Sequence, residues 1–333
     1  MRYILPCVEQ LDLAASLLNE KTNIKSRLAL ILIDNIVELI VHTKCVSIIR
    51  WDNNFKRTLG EKYTQKDKNE VLGKGFDPKF KFLFKAGVIS EKQRDFALLV
   101  HPFRNEAYHL GIIHDDIIFE LSCEYFRMAC TLFESLRPNT YSLPRIEQLT
   151  ETAKRHLLSS GDTKANFITK FDFCEISNSL VKMLPIQSSS LGMALSNSAT
   201  RRAKDIKEMI HYLCGGFNKL TYDEVIYQLQ YDHELYKDQP DGAYQLSNQE
   251  EINKYMSKRK FLNDHWKPKI TGNTLERWER RATEIGHIKD STVALNKFIS
   301  LTNDFQQFER NTHDAVMQMD MAINIEIDRM RGK

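Results

Sequence analysis

The stretch Thr22 to Ile49, TNIKSRLALILIDNIVELIVHTKCVSII, decides the fold class of this chain. Leu28, Leu30, Ile31, Leu32, Ile33, Ile36, Val37, Leu39, Ile40 and Val41 make it apolar nearly all round, and Asp34, Asn35, Glu38 and His42 interrupt it. Such a run reads as a helix buried on most sides. Upstream, Val8 to Asn19 carries a helical pattern through Leu11, Leu13, Ala14, Leu17 and Leu18, predicting an antiparallel partner joined by a tight connection at Asn19 to Thr22. Downstream, helices are expected at Ser90 to Val100 and at Ile113 to Leu136, the latter with Ile117, Leu121, Phe126, Ala129 and Phe133 on its apolar face. Between residues 53 and 79 the pattern fades among Gly60, Gly73, Gly75 and Pro78, which reads as a long loop or a broken helix.

The same periodicity continues further along. Ile146, Leu149, Ala153 and Leu157 share one helical face, and helical patterns run from Ala199 to Cys214 and from Tyr222 to Leu235. Val316, Met319, Ile323, Ile327 and Met330 recur at three- and four-residue steps within Ser291 to Met330, which predicts a core helix. Ser188 to Ser190 and Gln239 to Asn248 read as connections, and Pro138, Asn139 and Pro144 mark a boundary near residues 138 to 145. The expectation is an all-α protein with an N-terminal helical bundle, residues 1–140, followed by a C-terminal helical domain, residues 146–333.

Composition narrows the function classes. A net charge of +3 is nearly balanced over 333 residues, so nucleic-acid contact would need a local basic patch. The six cysteines, Cys7, Cys45, Cys123, Cys130, Cys174 and Cys214, lack C-x-x-C spacing, which argues against a zinc ribbon or a disulfide scaffold and predicts a reduced, cytoplasmic setting. Residues 1–20 carry no signal pattern, and Asp34 and Glu38 break the apolar run before membrane-spanning length, so a soluble protein is expected. Gly73-Lys74-Gly75 does not complete a phosphate-binding loop, and the serines at 188–190 lack a nucleophile-elbow pattern.

The chemistry-bearing stretch is Arg104-Asn105-Glu106-Ala107-Tyr108-His109. Five helical residues advance about 7.5 Å, so the long Arg104 and His109 side chains can converge on one phosphate. The guanidinium is a permanent charge with a fork that matches phosphate oxygens, and an imidazole gains or loses a proton near neutrality. An Arg and a His at this spacing, in this order of helices, resemble the R-x4-6-H motif of the HEPN superfamily over roughly residues 1–140. Active members of that family are metal-independent ribonucleases.

The resemblance implies attack of a ribose 2′-hydroxyl on the neighbouring phosphate, leaving a 2′,3′-cyclic phosphate and a 5′-hydroxyl. His109 would carry protons and Arg104 would stabilise the charge growing on phosphorus. Asn105 would hold the phosphate or fix the motif backbone, with helix capping as its plain alternative. Glu106 either orients His109 or pairs with Arg104, Tyr108 packs into the bundle, and His101 and His114 are peripheral. Asp34 and Glu38, one turn apart, either support the motif as in some family members or form a solvated or interfacial stripe. No cofactor or metal is implied. The family's site usually forms between two copies, so a homodimer is expected.

Residues 56–85 hold nine basic side chains against four acidic ones, with Phe76, Phe80, Phe82 and Phe84 interleaved. Lys62, Lys66, Lys68 and Lys74 there could track an RNA backbone while the rings stack on bases; the alternative is a solvated loop followed by core phenylalanines. A second basic cluster, Lys254, Lys258, Arg259, Lys260, Lys267 and Lys269, surrounds Trp266. Two functions remain open. One is an RNA endonuclease serving as a bacterial toxin or antiviral effector, with an antitoxin or regulatory protein as a further partner. The other is a non-catalytic scaffold that binds RNA, a nucleotide or a protein.

Overall fold

A computed structural model describes residues 4–109, 114–137, 149–157, 172–187, 189–216, 219–237 and 249–331. The protein is all-α, with thirteen helices and no strand among the described residues. The decisive run becomes α2 (Asn23–Leu59). Thr22 caps its start by accepting the Lys25 N–H, and Gly60, at a φ of 79° that side chains rarely adopt, follows its end. α1 (Ile4–Asn19) folds back along it through a turn at Glu20 and Lys21, so that Asn35 reaches Gln10.

The core of this first bundle follows from helical spacing. Leu30, Ile33, Ile36, Val37 and Val41 of α2 are fully buried, together with Leu11, Ala14 and Leu18 of α1. From α6 (Ile118–Ser135), Leu121, Phe126, Ala129 and Phe133 close the same core, as their spacing predicts. Each such Leu, Ile, Val or Phe side chain contributes about 1.5–3 kcal/mol of burial. Leu13 of α1 and Ile24 and Leu28 of α2 stay exposed.

The fading segment after α2 is a broken helix. Thr64 and Asp67 form a reciprocal cap that starts α3 (Gln65–Leu72), and α4 (Phe76–Lys85) follows after Gly73 and Gly75. α5 (Glu91–His109) does not stop at Val100 but continues through Pro102, carrying Arg104 to His109 on the helix itself. An interior proline forfeits one backbone hydrogen bond.

α7 (Glu151–Leu157) and α8 (Phe173–Lys182) pack on α1 and α6. Buried polar contacts fasten them: His156 Nε2 meets Asp12 Oδ1 at 2.7 Å, His156 Nδ1 meets Ser179 Oγ at 3.1 Å, and the Ser177 hydroxyl donates to the Cys130 carbonyl at 3.0 Å. The first compact unit therefore spans Met1–Ala194 with Asp290–Leu295, whereas sequence reasoning divides the chain at residues 138–145, of which all lie outside the described residues.

The second unit comprises Leu195–Lys289 and Asn296–Lys333. It draws on α9 (Leu191–Cys214), α10 (Tyr222–Tyr236), α11 (Gln249–His265), α12 (Gly272–Ile285) and α13 (Ser291–Met330). Leu275, Trp278, Ala282 and Ile285 bury one face of α12, and Trp278 packs its ring against Phe305 and Phe308 of α13. The buried stretch of α13 ends at Thr312. Val316, Met319, Ile323 and Ile327 are half-buried and Met330 is exposed, so the predicted seam lies outside the core.

Candidate functional site

Three helices converge on the Asp34 carboxylate. Residues one helical turn apart share a face, so His101 and Arg104 of α5 both point at α2. Asp34 is fully buried. Its Oδ1 accepts the Tyr125 hydroxyl of α6 at 2.8 Å, and its Oδ2 meets His101 Nδ1 at 3.0 Å and Arg104 Nε at 3.4 Å. The last contact is an ion pair without hydrogen-bond alignment. A buried carboxylate is costly unless paired and hydrogen-bonded, and this one gathers groups from two neighbouring helices. Burial, followed by the adjacent Asp34 charge, holds the Tyr125 phenol well above its ordinary value of 10.0, so it stays a neutral donor.

The motif side chains divide. The Arg104 Nη1 donates to Asn105 Oδ1 at 3.0 Å; among the described residues Nη2 has no hydrogen-bond partner, and 26% of the side chain is exposed. Glu106 Oε2 lies 3.1 Å from His114 Nε2, and the alternative that Glu106 orients His109 falls on a side chain outside the described residues. Tyr108 is exposed instead of packed into the bundle. His109 is the last residue of α5, and its side chain lies outside the described residues. Glu38 turns to α4, where Lys79 Nζ sits 3.2 Å from it and also donates to the Gly75 carbonyl at 2.9 Å.

His101, peripheral by sequence, belongs to the cluster. Its ring stacks on Phe76 with centroids 3.9 Å apart and planes 7° apart, while Nδ1 engages Asp34. The signal available was the i, i+3 spacing to Arg104, but its partner lies 67 residues away.

The basic segment is partly internal. Lys68 is buried, 2.7 Å from both Asp52 and Asn53 and 2.9 Å from Glu61, so it is no surface cation. Burial alone would raise the Asp52 carboxyl, but bonds from Lys68 and the Lys62 N–H hold it below the usual carboxylate range. Lys62, Lys66 and Lys74 are exposed. Phe76, Phe80 and Phe82 are core residues, and Phe84 lies under the Arg94 guanidinium at 4.2 Å. Besides Phe84, which is 38% exposed, the exposed rings near this segment are Trp51 and Phe55, 51% and 44% accessible with centroids 5.0 Å apart, next to Lys56 and Arg57 on the last turns of α2. Their i, i+4 spacing was the legible sign.

Among the described residues no group of three or more His, Cys, Asp or Glu side chains could hold a metal ion, and no helix is long and apolar enough to cross a membrane. Burial pushes the Cys7, Cys45 and Cys123 thiols up to about 12, which removes them as nucleophiles near neutrality.

No family model matches the chain, and no curated protein or solved structure is detectably similar to it.

Proposed function

We propose that the chain is a metal-independent RNA endonuclease of HEPN type, using Arg104, Asn105 and His109. The carrying observation is the Arg104 guanidinium, ion-paired with buried Asp34 at 3.4 Å and hydrogen-bonded at Nη1 to Asn105, with Nη2 left over. A guanidinium fixed in this way meets a phosphate oxygen with little side-chain entropy left to lose. The reaction is transesterification. The 2′-oxygen bonds to phosphorus, the bond to the 5′-oxygen breaks, and His109 takes part in the proton transfer. Asp34 is a positioning residue that acts through Arg104. Exposed Lys62, Lys66 and Lys74, with Trp51 and Phe55, suit an RNA backbone and its bases. The resemblance further suggests a homodimer acting as a bacterial toxin or antiviral effector, restrained by an antitoxin or regulatory protein.

The test is cleavage of RNA by purified protein in EDTA, with product ends mapped. Cyclic phosphate and 5′-hydroxyl ends, lost in folded Arg104→Ala and His109→Ala proteins, are expected. Wild-type activity in both variants would remove the assigned site.

A further inference from the structure

Transesterification moves two protons: one leaves the attacking 2′-hydroxyl, and one reaches the departing 5′-oxygen. Within one subunit, a single imidazole in one protonation state cannot perform both at once. Resting on the endonuclease reading, we propose that His101 is a second catalytic residue, the base that takes the 2′-hydroxyl proton while His109 protonates the 5′-oxygen.

The tautomer follows from the partner. A carboxylate only accepts, so the hydrogen shared with Asp34 sits on His101 Nδ1 and the neutral ring keeps its lone pair on Nε2. Among the described residues that nitrogen has no hydrogen-bond partner, and 20% of the side chain is exposed. Stacking on Phe76 fixes the ring plane. Asp34 then stabilises the imidazolium that proton uptake creates, as a carboxylate does behind any histidine base. His101 and His109 stand on the same helix with Arg104 between them, about 12 Å apart along its axis. His101 and Arg104, one turn apart, both face Asp34, so a phosphate drawn to Arg104 would arrive beside the His101 ring. Bonds and protons balance: the O2′–P bond forms, the P–O5′ bond breaks, and the two histidines exchange protonation states. The charged and titratable groups around the ring are Asp34 and Glu38 of α2, Lys79 of α4, Arg104 of α5 and Tyr125 of α6.

The experiment is single-turnover cleavage of an RNA oligonucleotide in EDTA across pH 5 to 9, with wild type, His101→Gln, His101→Ala and His109→Ala. Glutamine keeps a donor for Asp34 but cannot carry a proton. His101→Gln should lose about 10²- to 10³-fold in rate and the acidic limb of the profile. Added imidazole should restore part of the His101→Ala rate. If the histidine variants unfold, nitrogen NMR of the wild-type histidines replaces them. Addition of a non-cleavable 2′-deoxy oligonucleotide should shift His101 Nε2. Wild-type rate with both limbs intact in His101→Gln, or an unmoved Nε2 signal on saturation, would reduce His101 to a structural staple while leaving the endonuclease reading in place. Absence of cleavage by wild type, or its persistence in His109→Ala, would overturn that reading and this one together.

Discussion

Tyr125→Phe isolates the support beneath the candidate site, because it deletes one oxygen and keeps the ring in its buried slot. The hydroxyl donates to a fully buried carboxylate at 2.8 Å, and a hydrogen bond to a charged group contributes about 1.5–3 kcal/mol. The remaining Asp34 partners, at 3.0 and 3.4 Å, sit on Oδ2 and cannot cover the vacated Oδ1. A loss of about 2 kcal/mol is expected. The chain holds two compact units, so a single global transition is a poor gauge; amide hydrogen exchange across α2 and α6 reports on the relevant bundle. Pairing with Asp34→Asn should make the double variant less destabilised than the two single losses combined, by about 1–2 kcal/mol. The pH dependence has a definite sign. Because the phenol is raised well above 10.0, by burial first and by Asp34 second, the advantage of Tyr over Phe is complete below pH 10 and declines as pH rises through the raised value. A difference under about 0.5 kcal/mol, or full additivity with Asp34→Asn, would refute the claim that this bond organises the cluster.

Replacing exposed Lys62, Lys66 and Lys74 by Gln should weaken RNA association and flatten its salt dependence, since fewer counterions are released; an unchanged slope would take this surface out of RNA binding. Lys68→Gln should act on folding, because it strands Asp52 and Glu61. Both carboxyls are held low, Glu61 by Lys56 and then Lys68, so their contribution is present above the usual carboxylate range and lost as pH falls below about 4. An acid-unfolding curve that Lys68→Gln leaves unmoved would contradict this. In mixed dimers, one His109→Ala subunit should lower activity by more than half if the site is composite, and sedimentation of the active enzyme as a monomer would exclude a shared cleft.

The fold was legible wherever apolar residues recur at helical spacing, as in α2 and α6; α13 was expected as a helix, but on Val316 to Met330, which lie beyond its buried stretch. α12 escaped because Arg277, Arg280 and Arg281 dilute a face that only Leu275, Trp278, Ala282 and Ile285 define. α11 escaped for a different reason: most of its residues are polar, and Leu262 is the core residue it supplies. At the candidate site, Arg104 and Asn105 were named from the motif resemblance, but the His101 and Tyr125 partners of Asp34 come from 67 and 91 residues along the chain. Local pattern carries no record of such pairings. The same limit hid the burial of Lys68, whose composition reads as surface until Asp52 and Glu61 are seen beside it.

The way α7 and α8 close the first bundle bears on how this protein can be rearranged. His156 reaches across to Asp12, and Ser177 reaches back to Cys130, so the two ends of the unit share walls through groups that would be stranded in a dry interior if separated. A break in the chain at residue 140 therefore cuts through a folding unit, whereas one after Lys182 leaves these bonds intact. Recombination could exchange the helices beyond α8 as a cassette, with the 290–295 segment to be replaced by an equivalent wall, but it could not transplant the first 140 residues alone. Removing α7 and α8 would leave Asp12 without His156 and the Cys130 carbonyl without Ser177.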